Sequence, residues 1–223
     1  MHFGNGSGTT PATFLSVQSL RAIAAIMVML VHLFPQAAGI GAAGVDLFFV
    51  ISGFIMATVG VRESQSTFVV KRIARVVPLY WAVTLFMCAL ALKPGFFSHF
   101  SFDLPRLLMS MFFIPYRDVD GVIWPLVQVG WTLNYEVFFY AIFALCLLAR
   151  KPVTVAVASL ALLVVAGQAI RPQNAVLVTW TSPLLFEFIF GMLIAILPRP
   201  KEARIGLVLA GAGILWLAAA AVT

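Results

Sequence analysis

Three ionisable residues stand in stretches otherwise suited to lipid: Arg21 and His32 in one apolar run, and Asp46 at the head of the next. A charge placed there costs at least about 2.5 kcal/mol on insertion scales, so by default it marks a site. His32, with an unperturbed pKa near 6.5, suits the removal of a proton from a hydroxyl near neutral pH. A carboxylate beside it, such as Asp46, would orient the ring and favour the imidazolium formed in transfer. Arg21 and His32 are eleven residues apart, three turns plus about 20°, so they share one helix face roughly 16 Å apart along the axis. Asp46, at the mouth of the second helix, is then expected to be carried back towards His32 by a Gly/Ala-rich turn.

Two further constellations could carry chemistry. Glu136, in Trp131-Thr-Leu-Asn-Tyr-Glu136, lies about a turn and a half into an apolar helix, where an acid must find a donor or become protonated. Glu187 is similarly placed without evident company in the sequence. Lys71, Arg72 and Arg75 cluster before another apolar stretch; guanidinium forks at i and i+3 suit phosphate. Blander readings stand beside these. Arg21 can snorkel to the interface, and the basic cluster can merely set topology and touch anionic lipid. No set of metal ligands is apparent, and Cys88 and Cys146, both inside apolar segments, read as small buried hydrophobes.

The elements that must position these residues are membrane spans. The chain has 223 residues, 62% hydrophobic and 10% charged, against about 25% charged in soluble domains. The fold expected is all-α, a polytopic transmembrane helix bundle of about seven to eight apolar segments in one domain, residues 14–223, after a flexible N-terminus at 1–13. That N-terminus lacks the basic region and cleavage site of a signal peptide. The net charge of +6 belongs to loops, not to nucleic-acid binding, since no basic run is interleaved with exposed aromatics.

In chain order the expected segments are 14–34, 44–61, 78–92, 104–114, 131–149, 153–170, 180–197 and 205–222. The fourth, about eleven residues bracketed by Pro105 and Pro115, is well short of the roughly 20 that a span needs. The basic loops at 62–75, 150–151 and 199–204 should all face the cytoplasm. The first two share a side only if an even number of crossings separates them, which makes 104–114 a non-crossing, re-entrant segment. The N-terminus is then cytoplasmic, with His32 and Asp46 towards the outer half of the membrane.

Taken together, four motifs resemble the membrane-bound acyltransferase-3 family. They are Gln18-Ser-Leu-Arg21-Ala with His32 eleven positions on; Gly44-Val-Asp-Leu-Phe-Phe-Val-Ile-Ser-Gly-Phe54; Phe68-Val-Val-Lys-Arg-Ile-Ala-Arg-Val-Val-Pro-Leu-Tyr80; and Trp131-Thr-Leu-Asn-Tyr-Glu136-Val-Phe-Phe-Tyr140, with Thr132 where that family usually has Ser. Each motif alone is weak; their order over about residues 15–197 is specific.

The resemblance implies transfer of an acyl group, commonly acetyl, from cytoplasmic acyl-CoA to a sugar hydroxyl of a surface polysaccharide or related glycoconjugate in a bacterial inner membrane. It implies membrane lipid and a carbohydrate or glycolipid acceptor as partners, no nucleic acid, and no bound cofactor beyond acyl-CoA (acetyl-CoA in the common case) as donor substrate. It places Arg21 and His32 in catalysis and Arg72 and Arg75 on the donor's phosphates. Read from their own positions, Asp46, orienting His32 as general base or transient acyl carrier, and Glu136 join the catalytic set, and Lys71 joins the donor cluster. The family has about ten spans, so a chain ending in an Ala-rich helix after seven or eight reads as C-terminally truncated. A transporter or flippase using the same buried charges, and an inactive fragment of the family, remain as alternatives.

Overall fold

The computed structural model describes residues 11–34, 38–92 and 103–197. Among the described residues eight α-helices follow one another: α1 (Pro11–Leu33), α2 (Ala38–Thr58), α3 (Gln65–Ala91), α4 (Leu104–Met111), α5 (Trp131–Cys146), α6 (Pro152–Ile170), α7 (Ala175–Trp180) and α8 (Leu185–Ile196). No strand occurs among the described residues. Among the described residues, five stretches are long and apolar enough to cross a membrane: Gly41–Arg62, Gln65–Ala91, Gln128–Cys146, Pro152–Ile170 and Ala175–Ile196; Leu15–Leu30 is a shorter apolar helix. The expected segment at 205–222 and the basic loop at 199–204 lie outside the described residues, as does the N-terminus before Pro11.

Large apolar side chains face outward along these helices, among them Val70, Leu79, Phe86, Leu162 and Ile170. A water-soluble fold would bury such residues. Here lipid is as apolar as the interior, so burial no longer drives packing and close backbone approach does.

The described residues fall into two compact units, one up to residue 51 and the other residues 52–196. In the first, α1 and α2 pack through Gly44, where an added Cβ would stand 3.0 Å from the Ala24 carbonyl oxygen, Met27 Cβ and Val28 Cγ2. The Gly/Ala stretch expected to be a turn is therefore helix. Alanine favours helix strongly, and glycine, though costly there, lets α2 lie against α1.

In the second unit α5 is central. Phe139 and Phe143 are fully buried; Phe139 stacks on Phe188 of α8 with centroids 4.3 Å apart, and Phe143 meets Phe68 of α3 at 5.5 Å. Small residues bring the backbones together. A Cβ on Gly130 would stand 2.6 Å from the Tyr80 ring, and one on Gly167 would stand 2.3 Å from Thr181 Oγ1.

α3 begins at Gln65, capped by Ser64 Oγ accepting from the Thr67 N–H at 3.3 Å, and runs unbroken through Pro78. The expected start at Pro78 is thus corrected. A proline in a helix interior removes one hydrogen bond, a loss that membrane helices tolerate. At 27 residues α3 is about 40 Å long, some 10 Å more than the hydrocarbon core, and its three cations lie in its first three turns. The expected span at 180–197 is likewise corrected: it starts at Ala175, capped by Asn174 Oδ1 accepting from the Val176 N–H at 2.9 Å, and is broken before α8 at Pro183.

α4 has eight residues, about 12 Å. Its C-terminal end sits beside α3, where Trp81 Nε1 donates to the Met111 carbonyl at 2.8 Å. The following loop is tied down by Ser110, whose Oγ lies 3.0 Å from Tyr116 Oη and accepts from the Leu126 N–H at 3.0 Å. It then enters α5 at Gly130, against Tyr80. The ends of the unit can be matched by two bonds. Gln65 Nε2 donates to the Ala144 carbonyl at 3.1 Å, so the loop before α3 and the end of α5 are level. Arg117 donates to the carbonyls of Gly121 and Gln173, at 2.7 and 3.3 Å, which joins the α4–α5 loop to the α6–α7 loop.

Candidate active site

Arg21, His32 and Asp46 belong to the first unit. His32 is exposed in the last turn of α1, and its Nδ1–H donates to the Val28 carbonyl at 2.7 Å. A carbonyl can only accept, so in the neutral ring the proton sits on Nδ1 and the lone pair on Nε2. The side-chain orientation expected from Asp46 comes instead from the backbone one turn earlier.

Asp46 is placed elsewhere than expected. Because α2 begins at Ala38, Asp46 is its ninth residue, about 12 Å in from its start. The Gly44 contacts set the antiparallel level of the two helices near residues 24–28 of α1. From that level His32 lies about 9 Å one way, and Asp46 about 3 Å the other. Arg21 lies on the Asp46 side, about 7 Å from the crossing. The turn therefore does not return Asp46 to His32; Asp46 is nearer the level of Arg21, which is half-buried on α1. Among the described residues no ion pair joins Asp46 to either.

The second unit holds a polar network inside apolar helices. Glu136 Oε1 accepts from the Tyr140 hydroxyl one turn on, and from Ser52 Oγ at 3.3 Å. Ser52 Oγ is also 3.4 Å from Tyr140 Oη. The Tyr140 ring lies 5.8 Å from the Arg72 guanidinium carbon, and the Phe68 ring lies 5.0 Å from it. Arg72 Nη2 pairs with Glu63 Oε2 at 3.4 Å, while Glu63 Oε1 takes Lys71 Nζ at 2.5 Å. Glu136 thus has the donors that an intramembrane acid requires, and carboxylate, hydroxyl, ring and guanidinium follow one another without a gap.

The three basic residues do not act alike. Arg72 is 9% exposed, whereas Lys71 and Arg75 are exposed on α3. Arg62, Arg150 and Lys151 are exposed as well, on the loops that the Gln65–Ala144 bond makes level. Glu187 falls in the first turn of α8, where the helix dipole favours a carboxylate. No group of three His, Cys, Asp or Glu that could hold a metal ion occurs among the described residues.

Ser52, Tyr140, Glu63 and Phe68 were not singled out from the sequence as site residues. The i, i+4 spacing of Glu136 and Tyr140 was a legible signal, because such residues face each other on a helix. Ser52 and Glu63 carried none, since their partners come from other elements.

The motif around Ser52 can now be read residue by residue. Gly44 admits α1, Ser52 reaches Glu136, and Gly53 admits α8, where an added Cβ would stand 2.1 Å from the Phe188 carbonyl oxygen.

Comparison with known proteins agrees with these motifs. Over 160 residues the chain is 44% identical to the exopolysaccharide production protein ExoZ of Rhizobium meliloti (strain 1021), a match covering 70% of this chain and 50% of that protein. The chain thus spans about half the length of this curated relative. No solved structure matches. The family model described as an acyltransferase domain matches residues 14–223, nearly the whole sequence, and the chain therefore belongs to the acyltransferase-3 family.

Proposed function

We propose that this integral membrane protein transfers an acyl group, acetyl in the simplest case, from acyl-CoA to a sugar hydroxyl of a surface polysaccharide or related glycoconjugate. The observation that carries this is the 44% identity over 160 residues to a protein named for exopolysaccharide production. The exposed cations at one end of the second unit support the donor. Lys71, Arg75, Arg62, Arg150 and Lys151 form a rim suited to the phosphates of CoA, and guanidinium forks bind phosphate with two parallel bonds.

In this reaction the acceptor oxygen attacks the thioester carbonyl while His32 Nε2 takes its proton. The carbon–sulfur bond then breaks, and the thiolate leaves and is protonated. The Val28 carbonyl holds the ring in the tautomer that leaves Nε2 basic. Arg21, about 16 Å away along the same helix, supplies a cation for negative charge on the bound substrates away from His32. The basic rim is assigned to the cytoplasmic side of a bacterial inner membrane by the positive-inside rule, and the N-terminus with it.

The test is thiol release by the purified full chain given acetyl-CoA, with and without a lipid-linked or soluble glycan. Acceptor-dependent release together with acetylated glycan is expected. Movement of a labelled glycolipid across vesicles without thiol release would replace the enzyme by a transporter.

A further inference from the structure

Arg72 differs in kind from the cations beside it. A phosphate ligand must be reachable, yet Arg72 is 9% exposed and already engaged. One N–H meets Glu63 at 3.4 Å, and the guanidinium carbon lies 5.0 and 5.8 Å from the centroids of Phe68 and Tyr140. Its buried Nε has no hydrogen-bond partner among the described residues, so its second contact is aromatic and not a two-pronged grip on an anion. For a CoA phosphate to bind here, it would have to displace Glu63 from Arg72, leaving Glu63 Oε2 without its cation and only Lys71 on Oε1. Breaking a largely buried ion pair in this way is unfavourable.

The ring that Arg72 touches is the one that serves Glu136. The Tyr140 hydroxyl donates to Glu136 Oε1 and lies 3.4 Å from Ser52. A cation over a ring face fixes the ring plane as well as its position, and the plane sets where the hydroxyl points.

We propose that Arg72 is a positioning residue, which, held by Glu63, orients Tyr140 and through it the carboxylate of Glu136, and that the donor's phosphates fall to the exposed Lys71 and Arg75. The assignment rests on the acyl-CoA reaction proposed above. It separates two arginines that the sequence presents as equivalents three residues apart.

The test is initial-rate kinetics of the purified full chain, varying acetyl-CoA, for Arg72→Lys, Tyr140→Phe, the pair together, and Arg75→Gln. Lysine keeps the charge for Glu63 but not the flat face, and phenylalanine keeps the ring but not the hydroxyl. The first two variants are expected to lower kcat by about tenfold or more with KM for acetyl-CoA within about twofold, and the pair to be no worse than the worse single, because they act as one unit. Arg75→Gln is expected to raise KM and leave kcat. A raised acetyl-CoA KM at unchanged kcat for Arg72→Lys would return it to the phosphates, and losses that multiply in the pair would sever it from Tyr140. If the wild-type chain releases no thiol, the proposed reaction has failed, and thermal unfolding decides the rest. Melting shifts of Arg72→Lys and Glu136→Gln that fall short of their sum support the coupling, and additive shifts overturn it.

Discussion

Gly53 and Phe188 touch backbone to backbone: a Cβ built on the glycine would stand 2.1 Å from the phenylalanine's carbonyl oxygen. No rotamer change relieves a clash with a carbonyl, so α2 or α8 would have to move. Ser52 is the neighbour of Gly53, and its 3.3 Å bond to Glu136 depends on the same approach. Gly53→Ala is therefore expected to cost about 1–3 kcal/mol or more, the usual range for overpacking. Thermal unfolding in detergent should show a lower melting temperature, with Gly60→Ala as the comparison. There the nearest atom is the Phe68 ring edge at 3.0 Å, and the loss should be smaller. Equal losses at the two positions would mean that α2 and α8 have room to part.

The second expectation concerns sidedness. Gln65 bonds the Ala144 carbonyl, and Arg117 bonds the Gln173 carbonyl, so the described loops of the second unit group at two ends. Single cysteines at Ser66 and Arg150, in a chain lacking Cys88 and Cys146, should behave alike towards a membrane-impermeant thiol reagent, and opposite to cysteines at Val119 and Asn174. With positive residues inside, the first pair should label only from the cytoplasmic face. Labelling of Ser66 and Arg150 from opposite sides would mean that α4 and its flanks cross.

Much of this frame was legible in sequence because spans announce themselves by length and apolarity, and a helix in lipid must satisfy its own backbone. The Leu104–Met111 helix is as short as its two prolines implied. What sequence misplaced were the starts of α2 and α3. The Gly/Ala run before Asp46 has the composition of a turn, and only the contacts of Gly44 with Ala24, Met27 and Val28 show why it is helix. Pro78 looked like a beginning because proline favours first turns, yet Ser64 already caps α3 fourteen residues earlier. For the site, local pairing was readable and distant pairing was not. Glu136 with Tyr140 is an i, i+4 pair, whereas Ser52 reaches Glu136 across 84 positions, a relation set by helix packing alone.

His32 and Asp46 supply the third expectation. The ring of His32 is held by the Val28 carbonyl, and counting along the helices puts Asp46 about 12 Å from its level. His32→Ala is expected to lower transfer by about 100-fold or more, the range for loss of a general base, with expression and insertion unchanged. Asp46→Asn should cost far less and should leave the pH midpoint of kcat/KM where it was, since the ring loses no partner. A downward move of that midpoint in Asp46→Asn would show that the carboxylate does stabilise the imidazolium, and would restore Asp46 as its orienting partner.

The last expectation separates charge from shape at Arg75. As an exposed cation near the start of α3, it could serve only to anchor that end in the cytoplasm. Topology counts Lys and Arg alike, so Arg75→Lys would then be silent. If Arg75 grips a CoA phosphate, lysine offers one point of attachment in place of a planar fork. A charge-assisted hydrogen bond contributes about 1.5–3 kcal/mol, so losing one should raise the acyl-CoA KM by on the order of tenfold or more. Lys71 gives a built-in contrast, because its Nζ is already paired with Glu63 at 2.5 Å while its side chain remains 58% exposed. Lys71→Gln removes one of the two cations on Glu63, so it should disturb the Arg72 pairing and lower kcat as well as weaken the donor. The expected pattern is therefore a pure KM effect at Arg75 and a mixed effect at Lys71, with the KM for the glycan little changed in both. Initial rates with each substrate varied in turn will read this directly, and an acyl-CoA KM unmoved by Arg75→Lys would leave that residue as an anchor and nothing more.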